Sequence, residues 1–550
     1  MGKTKREKQK RDLPTFVLAP SLSYVLLAAI VLFFGLIRVR LLNFPLERDE
    51  GEYAYAGQLI LHRIAPYQLC YSMKLPGTSA AYALFLAVFG QTPAGVHLGL
   101  LLVNSATIIL LFFLASRLFG RLAGVVAAAS FALLSIGPSV LGFAAHATQF
   151  VVLPAVGGIL LLLKAIESKR LSTFAWSGLL LGLAFLMKQP GIFFFLFALL
   201  WLLRCQWKRP VPWRSIAAQS GAVILGFTLP LLLTVLVLMR AGVMQKFWFW
   251  TFSYASQYGT IRQFSDGLQT LWESGLSVAG PAAAVWIIAA VGVVALFWNP
   301  DTRRYWLFTL GFLAFSFAAV CPGLYFRPHY FVLLLPAVAL LCAVAVSSAA
   351  TMLVKSRQNA AWAAVPSLVF LAALGFAVIG QREFFFEQDP ITACRSLYSG
   401  NPFPEALKIA DFLKNHSAEG DRIAVIGSEP EIYFYSGRRS ATGYVYMYPL
   451  MESQPFASTM QTEMISEIEA SRPQFLVFVN SPTSWLRTDA SDSTIFSWSD
   501  QYAGSGYQLV GIADLFAEGT EYHFDDAATY RPRSDNAILV FKRLAPPNPS

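Results

Sequence analysis

The stretch Arg48-Asp49-Glu50-Gly51-Glu52 sets three carboxylates and a guanidinium at the end of an apolar run, Phe16 to Ile37. Ionisable groups at a membrane edge are costly unless they face water or a partner, so such a cluster marks a site. A carboxylate placed there can take a proton from a hydroxyl. It can also cap a helix. Asp49 as N-cap, with Glu52 three residues on completing a capping box, would open a helix over Glu50–Leu61. The residues alone fit both readings. Cations that suit an anionic ligand follow at Lys74, Lys188, Arg240, Lys246, Arg262 and Arg327. Lys188 is the sharpest, because Lys188-Gln189-Pro190-Gly191 interrupts two apolar runs. Pro190 frees backbone groups there, and irregular backbone at that depth lines a cavity. In Phe326-Arg327-Pro328-His329-Tyr330, Arg327 suits a phosphate, while His329 and Tyr330 are weaker candidates that cap a span.

The elements that position these residues are set by composition. Hydrophobic residues make up 56% of the 550 and charged ones 13%, with mean hydropathy +0.53. Ordinary soluble chains carry about 25% charged residues, so the excess needs lipid. The chain reads as a polytopic α-helical membrane protein. Net charge +10 does not mark a nucleic-acid binder, since the basic residues fall mostly in short loops between apolar runs. The five cysteines show no CxxC and no paired spacing, so neither a metal cluster nor a disulfide framework is indicated.

Eleven spans are expected: 16–37, 94–115, 121–140, 148–163, 172–187, 190–203, 215–238, 279–298, 304–321, 329–350 and 361–380. A basic head at 1–15 precedes them in the cytoplasm. Residues 38–93 form a long first outer loop, and the short apolar run 78–89 lies along the membrane surface, like 50–61. This arrangement gathers Lys and Arg in the cytoplasmic loops; making 78–89 a span would invert every later loop. It describes a multi-pass protein of the plasma (inner) membrane. The aromatic run Phe247–Tyr254 reads as an interfacial belt, and His97 and Glu273 as structural.

Past 382 the composition changes. Residues 383–550 read as an extracytoplasmic α/β domain, with helices at Glu405–Asn415 and Thr459–Ala470 and strands at Arg422–Gly427, Gln474–Val479, Tyr507–Ala513 and Ala537–Lys542. It carries no GxGxxG, Walker or nucleophile-elbow motif and suits a lid or recognition role.

Asp49-Glu50 with Tyr53-Ala54, Lys74 before Pro76, Arg117-Leu118-Phe119-Gly120 closing a span, and Phe185-Leu186-Met187-Lys188 together resemble the GT-C glycosyltransferases. The likeness is to the protein mannosyltransferase and lipid A aminoarabinose transferase branch, over residues 15–350. It implies a polyprenyl-phosphate donor carrying one sugar, an acceptor hydroxyl on a glycan, lipid or protein, and membrane lipids as surroundings. It also implies Asp49 as general base, with Glu50 supporting it or facing the acceptor, and Lys74 and Lys188 on the donor phosphate; Arg327, from its own motif, is expected to converge on the same phosphate. There are two departures: Glu52 stands where the aminoarabinose transferases have Arg, and Ala144-Ala145-His146-Ala147-Thr148 where they have a second Asp. Both bear on substrate and on any shared metal site and leave the reaction class standing. His146 thus becomes a candidate ligand for a divalent cation or an acceptor contact. A transporter or lipid flippase is the alternative from another class; it would show internal repeats, and none is visible. An oligosaccharyltransferase would carry a Trp-Trp-Asp motif in the soluble domain, which this chain lacks.

Overall fold

The computed structural model describes residues 18–207 and 212–544. The basic head expected at 1–15 lies outside them. The first helices are α1 (Pro20–Arg40), α2 (Arg48–Leu61), α3 (Gly77–Phe89), α4 (Pro93–Phe119), α5 (Arg121–Ile136), α6 (Ala147–Ser168), α7 (Leu171–Met187), α8 (Ile192–Trp207) and α9 (Trp213–Arg240). Among the described residues, eight helices are long and apolar enough to cross a membrane. Among the described residues each of the eleven expected spans falls on helix, but those at Arg121–Ile136, Leu171–Met187 and Trp306–Val320 fall short of that length. Helix α3, 13 residues long, is shorter still, as expected of 78–89.

Two spans begin elsewhere than expected. The run assigned to 279–298 extends back to Phe264, with a turn of 3-10 helix at Gly280–Ala282 where Pro281 interrupts the ladder. The run assigned to 329–350 starts only at Leu335. Pro328–Leu333 is instead a 3-10 segment, which leaves His329 and Tyr330 outside the long helix.

The soluble part is built on one six-stranded sheet of order β2-β1-β3-β6-β4-β5. The strands are β1 (Arg422–Ile426), β2 (Arg439–Ser440), β3 (Phe475–Asn480), β4 (Tyr507–Phe516), β5 (Gly519–His523) and β6 (Ala537–Arg543). β1 pairs parallel with β2 and β3, while β3–β6, β6–β4 and β4–β5 are antiparallel. The four expected strands are present; β2 and β5 are additional. Their brevity and mixed polarity give no apolar run to read.

Helix α2 joins the two parts. Residues of α2 and α3, among them Tyr53, Tyr55 and Tyr82, share one apolar core with Ile432, Tyr433 and Val477 of the soluble domain. The contact is close at Gly51, where a Cβ would lie 2.6 Å from the Glu431 backbone nitrogen. Arg48 enters the soluble domain as a buried fork. Its Nε donates to Ser428 O at 2.6 Å, its Nη1 to the Tyr448 hydroxyl at 2.7 Å, and its Nη2 to Glu429 Oε1 at 3.1 Å. Both side chains of the ion pair are buried, Glu429 completely.

Arg48→Ala would strand the Glu429 carboxylate without its counter-charge, at a cost of about 3–5 kcal/mol. The expected outcome is a clearly lower melting temperature and faster proteolysis between the bundle and the sheet domain. A variant that melts with the wild type would show that this pair does not hold the two parts together.

Candidate functional site

The first turn of α2 divides its side chains among three surroundings. Glu47, in extended conformation, is the N-cap: its Oε1 accepts from Glu50 N at 2.9 Å and Glu50 Oε2 accepts from Glu47 N at 3.3 Å. The capping box therefore lies two residues before the expected Asp49/Glu52 pair, because Glu47 also reaches the N3 amide. Glu50 is spent in the same network. Its Oε1 accepts from Ala145 N at 2.6 Å and lies 3.0 Å from His97 Nε2, and the residue is fully buried. Glu50, expected to support Asp49 or face the acceptor, does not line the cavity described below; it ties α2 to α4 and to the turn before α6.

Asp49 is free of capping and faces a cavity of about 390 Å³. Glu52 follows one turn later on the same face, and the Lys74 ammonium bridges the two carboxylates, 3.0 Å from Asp49 Oδ1 and 2.9 Å from Glu52 Oε2. Lys74 also sits 4.5 Å above the Tyr53 ring. Burial pushes the Asp49 carboxyl up, but Lys74 and His146 outweigh it and hold it well below the usual range. Asp49 is thus an anion at neutral pH.

Lys188 and Arg327 line the same cavity with no acidic partner among the described residues. The Lys188 ammonium lies 3.9 Å from the centre of the Tyr330 ring. Lys188 sits in the break between α7 and α8, outside both helices, where Gln189–Gly191 forms a single 3-10 turn. Gln189 donates to Met73 O at 2.8 Å, which ties the break to the loop that carries Lys74. Arg240 is exposed and Arg262 is held by the Thr270 hydroxyl and the Tyr325 ring. Neither lines the cavity, so these two candidates are not brought to the site. Lys246 is paired with Glu463.

Behind Asp49 the His146 and His329 rings stack, with centroids 3.9 Å apart. His146 Nδ1 is 3.7 Å from Asp49 Oδ2 and 3.5 Å from Glu47 Oε1. Both His146 nitrogens and His329 Nδ1 are buried without a hydrogen bond. One ligand atom from each of Asp49, His146 and His329 lies within 4.8 Å of the others. A carboxylate with two imidazoles is a donor set for a divalent cation. The rings lie face to face, so ligation needs one to turn until the lone pairs converge.

The far wall comes from parts that sequence reasoning did not place here. Trp250, Phe252 and Tyr254, expected as a membrane belt, line the cavity on a π-helical turn, and Trp250 and Tyr254 are buried. The soluble domain adds Tyr444, Tyr446, Tyr448 and Glu452. Glu452 accepts from the Tyr254 hydroxyl at 2.6 Å, and burial raises its carboxyl to about 7 despite that bond and Arg327. The available signal was the alternation of tyrosine at 444, 446 and 448, which suits an extended segment with one aromatic face. Nothing in the sequence marked Glu452, and the charged turn that includes Arg48 did not show its partner, Glu429.

Arranged in this way, the cavity offers an ionised carboxylate, two uncommitted cations and an aromatic wall. Residues 74–234 match the family model described as dolichyl-phosphate-mannose-protein mannosyltransferase. The structure is similar to ArnT from Cupriavidus metallidurans bound to undecaprenyl phosphate, with TM-score 0.61 at 14% identity, over 95% of this chain and 98% of that one. The apo state of the same protein gives TM-score 0.58 at 14% identity, over 94% and 97%. The chain has the fold of the GT-C glycosyltransferases. The archaeal oligosaccharyltransferase AglB from Archaeoglobus fulgidus, in complex with an inhibitory peptide and a dolichol-phosphate, shares that fold at TM-score 0.52 and 13% identity, over 93% of this chain and 75% of that one. No curated protein matches the sequence. The GT-C likeness extends through the soluble domain, which sequence motifs had matched only in placement.

Proposed function

We propose that the chain is a membrane glycosyltransferase that moves a single sugar from a polyprenyl-phosphate donor to an acceptor hydroxyl on the extracytoplasmic side. The observation that carries this is Asp49, ionised and relieved of capping, in one cavity with the unpaired Lys188 and Arg327. The mannosyltransferase family match and the lipid phosphates named for ArnT and AglB support the donor class.

In this mechanism Lys188 and Arg327 neutralise the donor phosphate, so it leaves as a stable anion. Asp49 takes the acceptor proton as the acceptor oxygen bonds to the anomeric carbon. The bond from that carbon to the phosphate oxygen breaks on the opposite side, and the sugar is inverted. A carboxylate held by Lys74 is a weak base. Phosphate binding draws Lys74 partly toward the new anion, and Asp49 gains basicity once the donor is seated. A divalent cation held by Asp49, His146 and His329 would supply further charge at the acceptor side. Tyr446 and Glu452 present the sugar-facing wall. Localisation to the plasma membrane with the N-terminus in the cytoplasm belongs to the same proposal.

Three outcomes test it. The cation arm is read by metal analysis: purified protein dialysed against Zn²⁺ or Mn²⁺ should retain one ion, and His146→Ala should retain none. Equal retention by both would leave the histidines as structural or acceptor contacts.

Burial, together with Lys74 and Arg327, pushes the Lys188 ammonium down to about 7 despite Asp49. Only the charged form attracts phosphate, so the Lys188 contribution to affinity for undecaprenyl phosphate is present below that pH. It should fall as pH rises through it, and Lys188→Met should flatten the profile. A wild-type profile flat from pH 6 to 9 would remove Lys188 from the phosphate.

Asp49→Asn keeps the shape of α2 and leaves its cap at Glu47 untouched. It should fold, bind undecaprenyl phosphate, and lose roughly 10²–10⁴-fold in sugar transfer. Transfer within a few-fold of wild type, measured on the same preparation, would sink the general-base role.

A further inference from the structure

A second concavity lies at the other end of the bundle. Tyr24 of α1, Phe113 of α4 and Leu161 of α6 are among the residues lining a groove of about 510 Å³, with Arg117, Arg121 and Lys164 in the same lining. His97, which touches Glu50, and Arg117 both lie on α4, about 30 Å apart at the rise of an α-helix. That is the thickness of a bilayer's hydrocarbon core, so with the cavity at one headgroup layer the groove meets the other.

The cations are differently engaged. Arg117 pairs with Glu167 at the end of α6. Arg121 reaches the Ser23 hydroxyl at 3.4 Å and lies 5.5 Å from the Tyr24 ring centre. Lys164 is exposed and has no acidic partner among the described residues. The groove thus has an apolar floor open to the side, where Tyr24 and Phe113 stay 47% and 41% exposed, and positive charge in excess of Glu167. An acyl chain fits the floor and a phosphate fits the rim; basic pockets between helices at this level suit anionic lipid headgroups.

We propose that this groove is a binding site for an anionic phospholipid of the leaflet opposite the cavity, its phosphate held by Arg121 and Lys164 and one acyl chain laid along Tyr24 and Phe113. Neutral phospholipid lacks the net charge, and a free phosphate lacks the chain. The site is independent of the reaction proposed for the cavity.

Native mass spectrometry of the full-length protein in detergent, with dioleoyl-phosphatidylglycerol against dioleoyl-phosphatidylcholine, tests this directly. One phosphatidylglycerol should be retained with roughly tenfold preference, and Arg121→Gln with Lys164→Gln should abolish the preference at unchanged melting temperature. Should that double variant melt lower, Lys164→Glu alone, a change at an exposed side chain, should cut the preference several-fold. Equal retention of both lipids by the wild type, or full preference in the variants, would reduce the three cations to snorkelling charges and overturn the site. Displacement of the retained lipid by millimolar glycerol phosphate would make it a free-phosphate site, and displacement by undecaprenyl phosphate a polyprenyl site. Either result overturns the assignment to a phospholipid.

Discussion

Successive residues of an α-helix point about 100° apart, and the first turn of α2 uses that step to meet three surroundings at once. Arg48 goes into the soluble domain, Asp49 into the cavity, and Glu50 into the bundle against His97 and Ala145. None of these directions is free to change alone, because the backbone at Gly51 lies against Glu431 too closely for a Cβ. Asp49 is therefore held by its neighbours in sequence as much as by its own contacts. Its position is fixed to the extent that Arg48 and Glu50 are satisfied.

Charge balance follows from that placement. Lys74 compensates Asp49 and Glu52 together, so the carboxylate pair carries one net negative charge near a low-dielectric boundary. Lys188 and Arg327 stand apart with only rings beside them, and rings compensate a cation weakly. A cavity with opposed, incompletely neutralised charges is unfavourable to leave empty of ions.

The features visible in the sequence were those with a local signature. The acidic turn, the Lys-Gln-Pro-Gly break and the short run at 78–89 each announce themselves by residue type or length, and the structure holds them as α2, a 3-10 turn and α3. The features not visible depend on long-range closure. Glu47 looked no different from its acidic neighbours, and only the entry path of the chain made it the cap. The roles of Arg48 and Glu452 depend on partners hundreds of residues away, Glu429 for one and Tyr254 for the other. The aromatic run at 247–254 has the composition of an interfacial belt, yet a π-helical turn buries Trp250 against Tyr71 and Tyr444.

The soluble domain is consequently part of the cavity and no mere appendage of the bundle. Its tyrosines at 444, 446 and 448 and its Glu452 complete a wall that the membrane helices leave open. The same segment is tied down from both sides. Tyr448 bonds to Arg48, Tyr444 to Glu463, and Glu463 in turn to Lys246 beside the aromatic turn. Loosening the domain would thus do two things through one chain of contacts: it would open the wall and release Arg48, which holds the turn carrying Asp49. Stability of the domain interface and geometry of the carboxylate are coupled by construction. A substitution at Glu429 would reach Asp49 through Arg48 and the backbone of α2, while one at Glu463 would reach the cavity through Tyr444 in its wall.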